Sequence, residues 1–109
     1  MADINFPEIL KTLKEEVTSL ALTTAEKYKN EAKADALKLV DDLKENLEKW
    51  TLLLAEGKLS KKDFEFLVLG QKELIEMNAI KQAGLALIKA DEFKNTLLKK
   101  IINTVIDLI

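Results

Sequence analysis

The chain of 109 residues contains no cysteine, no histidine and no arginine. Without cysteine it has no disulfide framework, no thiolate zinc site and no thiol nucleophile. Without histidine it lacks the commonest general base and the commonest nitrogen ligand for metals. All 17 basic residues are lysines, which do not make the planar bidentate contacts of arginine with phosphates and carboxylates. We therefore predict that the protein is not an enzyme and has no catalytic, cofactor-binding or metal-binding residues.

The chain has no large excess of charge of either sign, because the formal net charge is −2 and acidic and basic residues are mixed along the chain. We therefore expect no nucleic-acid partner. The first residues do not combine a basic segment with an apolar run, so they do not resemble a secretory signal. No run of about 18 apolar residues is present, as a membrane-spanning helix would need. These features predict a cytoplasmic protein.

Proline occurs once and glycine three times, whereas alanine, leucine, lysine and glutamate dominate. This composition strongly favours helix. The clearest interruption lies at residues 56–60, where Gly57 can adopt the left-handed conformation that ends a helix. Ser60 can then cap the next helix, with Asp63 completing a capping box.

The position of this turn predicts the overall architecture. We expect one all-α domain, residues 1–109, with helical arms over about 6–56 and 60–109. The turn at 56–60 would join the two arms as an antiparallel helical hairpin.

The first arm carries apolar residues at spacings of three and four, over 6–20 and again over 40–54. Asn5 is expected to cap its start. Thr23 and Glu26 match a capping box, so a second helix could begin near residue 23. However, a reversal between helices usually takes about two to eight residues, and no cluster of turn-forming residues is present. We therefore expect a continuous or kinked helix there rather than a reversal.

The second arm has a less regular pattern. Residues 79–90 are apolar on all sides, and the stripe over 97–109 lies opposite the one that begins at Leu67. Either the helix breaks near Ala90 and Asp91, or its contacts change partner there. Two unbroken arms would each span about 75 Å and leave much apolar surface exposed. We therefore expect a four-helix bundle, formed by dimerisation or, alternatively, by folding back within the monomer.

An interaction surface is predicted where this apolar excess lies. It comprises Gly84, Leu87, Ile88, Leu98, Ile102, Val105 and Ile109. The carboxylates at 41–48 alternate with lysines, which is typical of a solvated, salt-bridged helix face rather than a metal site. Lys99 and Lys100 flank apolar residues, as in a membrane-surface helix, but core or dimer interface is the favoured interpretation.

Three functional hypotheses follow from the sequence. The first is a non-enzymatic structural or protein–protein interaction module, expected to form a homodimer or to contact another protein. The alternative is an amphipathic protein that binds a lipid surface or coats a granule. An enzyme or ligand carrier with a site in the bundle is a third, less favoured reading. The sequence does not identify the biological process.

Overall fold

The computed structural model describes residues 5–24 and 26–109. The predictions about the first four residues lie outside this part of the chain. The described residues form five α-helices, namely α1 (Phe6–Thr24), α2 (Lys29–Ala55), α3 (Lys61–Leu69), α4 (Asn78–Gln82) and α5 (Leu87–Leu108). Two 3₁₀ turns, Glu26–Tyr28 and Lys72–Leu74, lie between them. No β-strand occurs in these two ranges, which agrees with the predicted all-α class.

Two predicted helix caps are confirmed. The Asn5 side chain accepts a hydrogen bond from the backbone N–H of Glu8 at 3.3 Å. Ser60 Oγ accepts one from the N–H of Asp63 at 3.0 Å. The Ser60 cap satisfies a backbone donor of the first turn of α3, whereas the N–H of Glu8 also donates to the backbone carbonyl of Asn5 at 3.1 Å.

The turn after α2 has the predicted glycine chemistry. Gly57 has a φ of 76°, a conformation that costs a residue without Cβ very little. Its N–H donates to the carbonyl of Leu54 at 3.2 Å, and the N–H of Lys58 donates to that of Leu53 at 2.9 Å. These two bonds form a Schellman motif, which satisfies the last carbonyls of α2.

The prediction of a continuous or kinked helix in the first arm, with no reversal near residue 23, is wrong. Helix α1 ends at Thr24, and α2 begins at Lys29 and packs along α1. An ion pair of 3.3 Å joins Lys14 on α1 to Asp41 on α2, so the chain reverses direction between the two helices. The longest dimension of the molecule is 46 Å, far below the length of an unbroken arm. The reversal needs no glycine or proline, because the apolar faces of the two helices bury each other.

Of the two alternatives for the second arm, the break near Ala90 and Asp91 does not occur, because α5 continues through both residues. The second arm is interrupted earlier, between Leu69 and Asn78 and again at residues 83–86. At the second interruption Gly84 has a φ of 113°. This glycine ends α4 with a Schellman motif of its own, in which its N–H and that of the next residue donate to α4 carbonyls at 3.0 and 3.2 Å.

The helices cover one another within the single chain. Helix α1 packs against α2 and α5, α3 packs against α2 and α5, and α4 also packs against α2 and α5. An ion pair of 3.2 Å joins Glu16 on α1 to Lys100 on α5. All five helices contribute buried apolar side chains to one core. The apolar stripe of α5 therefore finds its cover in α1 and α3.

Candidate functional site

A buried carboxylate from α2 holds the start of α4. Asp35 is only 4% exposed, and its Oδ1 and Oδ2 accept hydrogen bonds from the N–H groups of Ala79 at 3.1 Å and Ile80 at 2.8 Å. Helix α4 has no side-chain cap of its own, since Met77 at its N-cap position makes no such bond. Asp35 therefore acts as an N-cap supplied by another helix, where negative charge also favours the positive end of the helix dipole.

A buried ammonium from α5 holds the other end of the same break. Lys94 is 8% exposed, and its Nζ donates to the carbonyls of Lys72 at 2.9 Å and Ile75 at 2.8 Å. The Asp91 carboxylate lies 3.9 Å from the same nitrogen. Both carbonyls lie in a segment that has left the regular α-helix. That of Lys72 also accepts the N–H of Ile75 at 3.3 Å, and Lys94 adds a charged donor to each.

We call Asp35 and Lys94 the two pins, because Asp35 holds the first turn of α4 and Lys94 holds the segment between α3 and α4. Each carries a charge opposite in sign to the partial charge of the backbone groups that it binds. Hydrogen bonds to charged groups contribute about 1.5–3 kcal/mol each, and all four bonds here involve one. Neither pin was predicted from the sequence. The signal that could have revealed them is a charged residue at a core position of an apolar stripe, where unpaired charges are almost never found.

A cleft of about 370 Å³ lies beside the pinned segment, between the end of α1, the Glu26–Tyr28 turn, α4 and the first half of α5. Its lining residues are Thr24, Lys27, Tyr28, Ile80, Leu85, Lys89, Glu92, Phe93 and Thr96. Ile80 and Phe93 belong to the buried core, whereas the polar residues supply ammonium, hydroxyl and carboxylate groups. This volume is within the range of small-molecule sites, about 300–1,000 Å³.

The backbone around the cleft is held in place. The Ile80 N–H is bonded to Asp35 at 2.8 Å, so the pin on α2 directly positions one wall. On another wall, the Tyr28 hydroxyl would lie 3.8 Å from a Cβ added at Gly84. The α4–α5 connection, residues 83–86, is thus fixed by a Schellman motif and closely approached by an aromatic side chain.

The predicted interaction surface does not form one continuous area. Its members Leu98, Ile102 and Val105 are buried in the core, so we correct their assignment, because α1 and α3 already cover them. Leu87 and Ile88 are 60% and 73% exposed. Gly84 and Ile109 are exposed as well. Ile109, however, lies at the far end of α5, about 30 Å from the other three at 1.5 Å per residue.

Two exposed acidic residues of α2 lie in ion pairs. Asp41 pairs with Lys14 at 3.3 Å and Asp42 with Lys38 at 2.9 Å. The hydrogen bond to Asp42, together with the charge of that carboxylate, raises the pKa of Lys38 above its ordinary value. Across residues 5–24 and 26–109, no three acidic side chains come together as ligands of a metal ion would.

Comparisons with known proteins give no assignment. No protein-family model, curated protein or solved structure matches the chain. Among the helices described above, none combines the length and apolar content needed to cross a lipid bilayer. The cleft and the exposed residues beside it are therefore the basis on which a function can be proposed.

Proposed function

We propose that the protein is a non-enzymatic protein–protein interaction module that contacts its partner at the start of α5. One observation carries this proposal. Leu87 and Ile88 are consecutive, large and apolar, yet 60% and 73% exposed. They directly follow the fixed α4–α5 connection, so they are presented at a defined position. Apolar side chains held in this way lose little conformational freedom when a partner covers them.

The scaffold in this proposal is a four-helix bundle closed within one chain. Its four members are α1, α2, α3 together with α4, and α5. Helix α1 packs on both α2 and α5, which closes the bundle. The expectation of a homodimer rested on apolar residues that include Leu98, Ile102 and Val105. Since these are covered within the chain, we propose a monomer whose partner is a different protein.

Site-specific photo-cross-linking in cells tests the contact. A photoreactive amino acid at position 88 should form a cross-linked product with one discrete protein. The same amino acid at position 52 is the control, because Leu52 is 51% exposed on α2, away from the α4–α5 connection. The additional substitution Leu87→Asp should abolish the product while the circular dichroism spectrum stays helical. No product at position 88, or an equal one at position 52, would refute the proposal.

The lipid-surface alternative has less support. It requires the apolar faces of helices such as α1 and α5 to turn outward, but Leu13, Val17, Leu97 and Ile101 are fully buried among the described residues. Opening the bundle would therefore expose much of its core. Flotation with neutral and anionic liposomes tests this alternative, and we expect the protein to stay in the unbound fraction.

A further inference from the structure

We propose that the cleft binds a small apolar carboxylate of the medium-chain fatty-acid type. The proposal does not depend on the protein contact at Leu87 and Ile88, because neither residue lines the cleft. It rests on three features of the cleft, namely an apolar floor, more cationic than anionic groups among its described lining residues, and a wall that is already held in place.

The floor suits an alkyl chain. Ile80 lies beneath the cleft with no accessible surface of its own, and Phe93 with little. The half-buried side chains of Leu85 and Tyr28 therefore supply much of the apolar surface that a ligand can contact. The cleft volume of about 370 Å³ accommodates several methylene groups. Each methylene removed from water contributes about 0.8 kcal/mol, or roughly a fourfold gain in affinity. Chain length should therefore control affinity until the cleft is full.

The polar lining suits an anion. Lys27 and Lys89 supply two ammonium groups, and three hydroxyl groups also line the cleft. Glu92 is the one acidic side chain among the described lining residues, and it lies 3.9 Å from Lys89, with both side chains about two-thirds exposed. An exposed pair at this distance contributes about 0–1 kcal/mol, so Lys89 remains available to a ligand carboxylate.

The wall is preformed, which lowers the free-energy cost of binding. The Asp35 pin holds the N–H of Ile80, and the left-handed Gly84 fixes the backbone that carries Leu85. A ligand would enter an existing cleft rather than having to open the bundle, so little ordering is needed on binding. The main gains are then the burial of the alkyl chain and the pairing of its carboxylate.

Calorimetric titration of the full chain with decanoate, below the concentration at which it forms micelles, tests the proposal. We expect decanoate to bind about fourfold more tightly than nonanoate. It should also bind at least tenfold more tightly than decyltrimethylammonium, which has the same alkyl chain and the opposite charge. Equal affinity for the two head groups, or no decanoate binding, would overturn the proposal.

A double variant assigns the site. Lys27→Gln with Lys89→Gln should weaken decanoate binding about tenfold, since each lysine is a solvent-accessible charge, and should leave decanol binding unchanged. The matched control is Lys62→Gln with Lys99→Gln, which removes the same charge from exposed positions outside the lining and should change neither affinity. Equal losses in the two double variants would show that decanoate responds to overall charge and not to this cleft, which would refute the site.

Discussion

Replacing Asp35 by asparagine tests the role of the first pin, because the two side chains are nearly identical in shape. The carboxylate accepts one hydrogen bond on each oxygen, at 3.1 and 2.8 Å. Asparagine has a single acceptor oxygen, so one of the two amide donors at the start of α4 would face an NH₂ group instead. Asp35 and Ile80 are both buried, and a buried unsatisfied donor costs about 1–3 kcal/mol.

The expected loss in the free energy of unfolding is about 3 kcal/mol, since the unsatisfied donor adds to the loss of charge on the remaining bond. This is a large share of the 5–15 kcal/mol that is typical of a domain. Urea unfolding followed by circular dichroism gives the value. Asp42→Asn is the matched control, because Asp42 is exposed and pairs with Lys38 one turn away. That variant should lose no more than about 0.5 kcal/mol.

Amide hydrogen exchange locates the effect. In the Asp35→Asn variant, the amides of Ala79 and Ile80 should lose protection more than those of α1, since local opening of α4 becomes easier. The pin assignment would be refuted if Asp35→Asn unfolded within about 0.5 kcal/mol of the wild type and Ile80 kept its protection.

Three further predictions concern single residues and use urea unfolding. Lys94→Met keeps the apolar stem but removes the ammonium from two backbone carbonyls, so the free energy of unfolding should fall by about 2 kcal/mol. The exposed control Lys99→Met should lose about 0.5 kcal/mol or less. Equal losses in the two variants would contradict the role of Lys94 as the second pin. Thr51→Val should stabilise by about 1 kcal/mol, because the buried Thr51 hydroxyl has no hydrogen-bond partner among the described residues; a loss of stability would show that the hydroxyl is satisfied. Gly84→Ala should destabilise by about 1–2 kcal/mol, because its φ is 113°, and an unchanged midpoint would argue against this backbone conformation.

The parts of the fold that were predicted correctly depend on local chemistry. Gly57 ends α2, and Ser60 caps α3, through bonds to residues at most five positions away. Such signals lie within a single short window of sequence. Gly84 carried a similar signal, since it ends α4 as Gly57 ends α2. The predicted interaction surface instead includes Gly84, because the surrounding residues are apolar on all sides.

The interruption between α3 and α4 could not be predicted in this way. Four apolar residues fall on one face at helical spacing, namely Phe64, Leu67, Leu74 and Ile75. The local pattern therefore favours a continuous helix. The groups that stabilise the break come from far along the chain, since Asp35 bonds to residues 44 and 45 positions away. Lys94 bonds to residues 22 and 19 positions away. Tertiary hydrogen bonds therefore override the local preference for helix.

The candidate surface shows a second limit of periodicity. The spacing of Leu98, Ile102 and Val105 correctly identified the apolar face of α5. It could not distinguish cover by the same chain from cover by a second copy. That difference depends on the reversal between α1 and α2, which brings α1 against α5. The cleft has the same origin, because its lining comes from residues 24–28 and 80–96.

Sedimentation velocity at several concentrations tests whether this chain closes its own bundle as a monomer, with Leu87 and Ile88 exposed at the start of α5. We expect a monomer at every concentration, with the frictional ratio of a particle whose longest dimension is 46 Å. An elongated dimer, with arms approaching the roughly 75 Å of fifty helical residues, would contradict it. Leu98, Ile102 and Val105 would then lie at an interface between two chains.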